Sequence, residues 1–205
     1  LSEIYALYDE LTGDQQQQVD LSPCVSLWDQ IDELGAAVQS DTGFASSQTD
    51  TLESDQTISA PHVIAESMTI NTDGHTVTAT NTSVIQITGS GGLYLTGGGR
   101  IVSQNGAGVE VMSGGLLSID ETGVDISGTT YALDIASDAE VQLSGGTYFG
   151  KKAAIRADDF AALLAPGYVY FDAAGNAILP ADMAAARTVV VGQCTDHSDK
   201  SYGHD

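Results

Sequence analysis

Between residues 84 and 157 one apolar tetrad recurs at a nearly fixed interval. Val84-Ile85-Gln86-Ile87 returns as Gly108-Val109-Glu110-Val111, as Ala132-Leu133-Asp134-Ile135 and as Ala154-Ile155-Arg156-Ala157. The starting positions 84, 108, 132 and 154 are separated by 24, 24 and 22 residues. A second run keeps the interval at Leu93-Tyr94-Leu95, Leu117-Ser118-Ile119 and Val141-Gln142-Leu143. A third follows more loosely at Ile101-Val102, Val124-Asp125-Ile126 and Thr147-Tyr148-Phe149. Most runs alternate apolar and polar residues, the two-residue period of a strand with one buried face. Three strands this short, with Gly or Ser at the corners, cannot form a free-standing sheet. They can form one coil of a parallel β-helix, each strand pairing with its counterpart one coil away. The fold class expected is mainly β, a short single-stranded right-handed parallel β-helix. Five to six coils would rise to roughly 25–30 Å at about 4.8 Å each.

Other stretches frame this core. Residues 1–38 read as a helical hairpin: Ile4, Leu7, Tyr8 and Leu11 share one face, and Thr12 with Gln15 forms a capping box. Ser22-Pro23 is a helix start, and Val25, Trp28, Ile31, Leu34 and Val38 make one packing stripe after it. Residues 39–56, rich in Ser, Thr, Asp and Gln, read as a linker. The β-helix is assigned to 57–157, opening on an irregular coil that contains the turn Asn71-Thr72-Asp73-Gly74. Both ends of such a stack expose strand edges and need caps. Residues 158–192 supply one, with a short aspartate-capped helix at 158–164, a hairpin of Gly167–Phe171 with Asn176–Ile178, and a strand at 188–191. Residues 193–205 read as a disordered tail. The abrupt start at Leu1, inside a helical pattern, gives the expectation of a longer protein with neighbouring domains.

Composition narrows the partners. With 28 acidic and 6 basic residues, the formal net charge is −22. No basic stripe is present to neutralise phosphates, which excludes a nucleic-acid role. The same charge opposes anionic membrane surfaces, and no stretch is long and apolar enough for membrane insertion. It suits a soluble, extracellular setting. Cys24 and Cys194, 170 residues apart, are either two free thiols or one disulfide, too few for a disulfide scaffold.

Three segments resemble large adhesin-like parallel β-helix surface proteins of gut Firmicutes, in which a helical hairpin precedes β-helix repeats. Tyr8-Asp9-Glu10-Leu11-Thr12 and the Gln run after it are similar to their hairpin. Leu143-Ser144-Gly145-Gly146-Thr147-Tyr148 is similar to their SGGT-aromatic coils. Leu163-Leu164-Ala165-Pro166-Gly167-Tyr168-Val169-Tyr170 with Gly175-Asn176 is similar to their terminal segment. The resemblance implies a secreted or cell-surface bacterial protein without established catalytic residues. It also implies a Cys- and His-bearing segment after the last strand, of which Cys194, His197 and His204 would be an incomplete remnant.

The residues suggest several chemistries. Asn71-Thr72-Asp73 resembles an element of pectin-cleaving polygalacturonases, and Asp158-Asp159 their aspartate pair. The order is wrong and the substrate-gripping basic triplet is absent. A calcium-dependent lyase needs a carboxylate cage beside an Arg or Lys base. Glycine-rich Gly89–Gly92 lacks the aspartates of calcium-binding repeats, and one Thr-rich coil at Thr76, Thr78 and Thr80 is no array. The strongest candidate is a ladder. Gln86, Glu110, Asp134 and Arg156 are each third in their tetrad, so they stack on one face, open to hydrogen-bond a sugar or loosely hold calcium. Tyr168 and Tyr170, on one side of the terminal hairpin, could stack on sugar rings. The function expected is a non-catalytic adhesin-like module recognising a host or dietary glycan, or a surface protein, without a cofactor. The alternatives are a polysaccharide lyase or glycoside hydrolase, and a structural spacer.

Overall fold

The computed structural model describes residues 48–193. The hairpin expected at 1–38, the first part of the linker, both cysteines and the tail from 194 onward lie outside the described residues. Among the described residues the chain is mainly β and winds into a solenoid of three sheets, in which strands of successive coils pair in parallel. The first coil holds β1 (Thr49–Thr51), β2 (Gln56–Ile58) and β3 (His62–Ile64). The second holds β4 (Ser67–Asn71), β5 (Thr76–Ala79) and β6 (Ile85–Ile87), and the third β7 (Gly92–Thr96), β8 (Arg100–Ser103) and β9 (Val109–Val111). The fourth holds β10 (Leu116–Ile119), β11 (Asp125–Gly128) and β12 (Leu133–Ile135). The last holds β13 (Glu140–Leu143), β14 (Thr147–Gly150) and β15 (Ile155–Arg156). The chain thus makes four full turns from β1 to β13 before its last two strands. Four spacings of about 4.8 Å give a stack of roughly 19 Å, shorter than the repeat count implied.

The alternation read from the sequence sets the pairing register. Ile85, Val109, Leu133 and Ile155 pair in one inward row. Leu93, Leu117 and Val141 pair in the second sheet, and Ile101, Ile126 and Tyr148 in the third. All of these residues are buried. Full burial of each Leu, Ile or Val contributes about 1.5–3 kcal/mol, so the rows hold the coils together. A one-residue slip would turn a whole row outward, which fixes the register.

Corners are built from small residues and buried hydroxyls. Thr72 is fully buried; its Oγ1 donates to the Thr96 carbonyl at 2.8 Å and accepts from the Gly99 N–H at 2.9 Å. One side chain thereby ties two backbone groups of the next coil, and gives the Gly99 N–H in the turn an acceptor. Gly97, at φ +96°, sits so close that an added Cβ would lie 2.0 Å from Asn71 Oδ1 and 2.5 Å from the Asp73 nitrogen.

Beyond β15 the chain reverses and closes the stack. A 3-10 turn at Ala161–Leu163 begins where Asp159 Oδ1 accepts from the Ala161 and Ala162 N–H groups, in place of the longer helix expected. Then come β16 (Tyr168–Phe171), β17 (Ala177–Ile178), a 3-10 segment at Pro180–Ala185 and β18 (Thr188–Gln193). The β16–β17 hairpin forms as expected, its turn held by Asp172, which accepts from Ala174 and Asn176. The insertion of β18 between β14 and β16, antiparallel to both, was not legible in the sequence. Composition also hid β1, which falls within residues 39–56 yet pairs with β4.

Candidate functional site

The ladder forms in the sheet β3–β6–β9–β12–β15. Val63 pairs with Gln86, Gln86 with Glu110, Glu110 with Asp134, and Asp134 with Arg156. Gln86, Glu110 and Asp134 are each flanked by buried residues in their strands, so the row projects outward from an apolar base. Val63, 51 % exposed, extends the row by one apolar position.

The row holds two separate sets of contacts, one on Glu110 and one on Asp134. Ser83 Oγ donates to Glu110 Oε1 at 2.6 Å, and Gln86 Nε2 donates to Glu110 Oε2 at 3.1 Å. Asp134 Oδ1 is buried and accepts no aligned hydrogen bond; the Arg156 guanidinium meets it as an ion pair. Burial raises the Asp134 pKa above the ordinary carboxylate value and Glu110 adds to the rise, while Arg156 and Lys152 pull the other way. The two members differ in exposure, since the Arg156 side chain keeps 59 % of its surface and that of Asp134 18 %.

Two residues outside the expected ladder join its end. Lys152 Nζ lies 5.7 Å, and Arg156 Cζ 5.3 Å, from the centre of the Tyr131 ring. Backbone stacking sets this up, because the Lys152 N–H donates to the Thr130 carbonyl at 3.0 Å one coil below. The signal was present in the sequence. Thr130 and Lys152 both stand two residues ahead of their tetrads, at 132 and 154, so the repeat superposes them.

The hairpin tyrosines do not form a sugar platform. Tyr170 is 1 % exposed, its hydroxyl donates to the Phe160 carbonyl at 2.7 Å, and burial pushes its pKa up. Val169 is buried as well, so β16 is covered on both faces and alternation could not mark an outer side. Tyr168 is half-buried against the core and its hydroxyl accepts from Gln193 Nε2 at 3.2 Å. Both lie in the cap, and the burial of Tyr170 corrects its assignment to ligand binding.

The pectinase-like carboxylates stay apart. Asp73 lies in the corner between β4 and β5, and Asp158 follows β15, with Leu164 bridged to Leu143 in the last coil. Three coil spacings put them roughly 14 Å apart along the axis alone. An inverting pair needs about 6.5–9.5 Å and a retaining pair about 5–5.5 Å. Among the described residues no three His, Cys, Asp or Glu side chains converge to hold a metal ion. No helix among them is long and apolar enough to cross a membrane. No protein-family model, curated protein or solved structure matches the chain. The row on this sheet, with Tyr131 and Lys152 at its end, is therefore read from its own chemistry.

Proposed function

We propose that the chain is a non-catalytic recognition module of a bacterial surface protein. In this reading its right-handed solenoid, the hand that parallel crossovers favour, lays a polar row against an extended glycan. The observation that carries the reading is the in-register row Gln86–Glu110–Asp134–Arg156 on one sheet. Side chains repeating at about 4.8 Å on a rigid sheet offer regularly spaced partners to an extended ligand. Ionised carboxylates only accept hydrogen bonds, which matches the hydroxyl donors of a sugar. A preformed row also loses little conformational entropy on binding. The acidic balance of the chain fits a soluble exterior setting and opposes polyphosphate partners.

A glycan array probed with the full chain, with calcium and then with chelator, tests the reading. Saturable retention of one glycan class is expected, weakened by Glu110→Ala and Asp134→Ala and unchanged by chelator. Turnover of a retained polysaccharide would favour a carbohydrate-active enzyme. A blank array would leave a spacer.

A further inference from the structure

Four of the five cations among the described residues lie at the closing end of the stack. Of six Lys and Arg residues among 28 acids, Lys151, Lys152, Arg156 and Arg187 lie in the last coil and the segment laid over it. The Gly150 N–H donates to the Arg187 carbonyl at 3.0 Å, and the Ala154 N–H to the Ala186 carbonyl at 2.7 Å. All four side chains are exposed. Grouping like charges opposes itself electrostatically, and the stack does not require it. The superposed residues one coil down are neutral Thr130 and acidic Asp134. Two of the cations are also held in place, over the Tyr131 ring. Contacts of this kind contribute about 0.5–1 kcal/mol at exposed sites. Arg156 meets Asp134 through one nitrogen, and a guanidinium carries five N–H donors, so donors remain for a second anion.

We propose that Lys152 and Arg156, braced by Tyr131, bind the single carboxylate of a sugar acid at the end of a glycan, whose following hydroxyls lie on Asp134 and Glu110. The inference deepens the glycan reading above and rests on it. The row has a polarity that this ligand matches, with cations at its end and acceptor-only carboxylates behind them. A second anionic sugar would face Glu110 and Asp134 and be repelled. The −22 chain disfavours a polyanion further, although screening over about 8 Å at physiological salt confines that repulsion to near neighbours. The ligand class is thus an otherwise neutral glycan with one acidic end, rather than a polyuronate.

The test is an array of neutral oligosaccharides capped by glucuronic acid, each beside its partner with the carboxyl reduced to the alcohol. Titration calorimetry of the full chain follows on the retained pair. Reduction is expected to weaken binding at least about tenfold, the loss of one charge-assisted hydrogen bond. Lys152→Gln should weaken the acidic sugar alone by a similar factor. Arg100→Gln makes the same charge change on another sheet and should leave binding unaltered. Equal affinity for acidic and reduced sugars, or a Lys152→Gln chain that binds like the parent, overturns the anion site while leaving the glycan reading intact. Retention of neither form of any oligosaccharide overturns both.

Discussion

Among the described residues the two ends of the solenoid differ. At the end nearer the C-terminus the chain turns back on itself. The strand β18 pairs antiparallel with β14, and Tyr148 of the last coil is buried together with Tyr170, Met183 and Val189 of the cap. The first coil ends in β1, β2 and β3, each the terminal strand of its sheet among the described residues. All of β1 is exposed, as are Gln56, Thr57, His62 and Val63, and the apolar anchors there are Leu52 and Ile64. Parallel stacking therefore propagates a solenoid but cannot end it. A reversal of strand direction, with large side chains to plug the open core, closes one end.

The difference can be broken from the closed side first. Tyr148→Ala removes a fully buried ring whose hydroxyl donates to the Gly145 carbonyl at 2.6 Å. It is expected to cost about 3–5 kcal/mol in urea unfolding, by lost burial and the cavity left behind. Nearby, Gly146 holds φ +101°, and an added Cβ would stand 2.8 Å from the Val124 carbonyl oxygen. Gly146→Ala should cost about 2–3 kcal/mol through combined strain and contact. Gly74, in the second coil, has φ +79° with nothing within 4 Å of an added Cβ. Gly74→Ala should cost only about 1 kcal/mol, the backbone penalty alone. Equal losses at the two glycines would show that crowding does not distinguish the ends.

Alkali should act on the closed end. Burial raises the pKa values of Tyr148 and Tyr170 above the ordinary tyrosine value. The unfolded chain then ionises first. Stability is whole below the ordinary value near 10 and falls as pH rises above it. Tyr170→Phe should flatten that fall in a pH series of unfolding midpoints, and an unchanged slope would deny the tyrosine a part in it.

The ladder gives a smaller case of the same sign, in the acid range. Because Asp134 has a raised pKa in the folded chain, its ionised form opposes folding, and that cost lessens as pH drops through the raised value. Asp134→Asn should thus unfold no earlier than the parent at neutral pH, with the difference shrinking in acid. An earlier midpoint would mean that the Arg156 pair outweighs the burial of the carboxylate. The smallest effect belongs to the first coil, where Val63→Thr, at a half-exposed position, should stay within about 0.5 kcal/mol.

The 24-residue interval made the sheet register and the outward row readable before any coordinate, since a two-residue period leaves each tetrad one inward face. It did not reveal that Tyr170 is core. A strand covered on both faces loses the alternation by which exposure is inferred, and β16 is such a strand. Nor did composition reveal β1, because a three-residue edge strand of Thr-Asp-Thr carries no apolar signal.

The sequence by itself determined the solenoid, its inward rows and the stacking of Gln86, Glu110, Asp134 and Arg156, because all of these follow from local periodicity. Only the tertiary structure decided how the stack is closed and that Tyr131, Lys152 and Arg156 meet. Pairing β18 with β14 and β16 depends on contacts between residues 39–43 and 19–25 positions apart, from Phe149↔Thr188 and Thr147↔Val190 to Phe171↔Val190 and Tyr168↔Gln193. No local pattern encodes a reversal across such distances. The cations and the ring likewise come together through coil stacking, where side-chain distance is set by the rise of the helix and the shape of two successive turns.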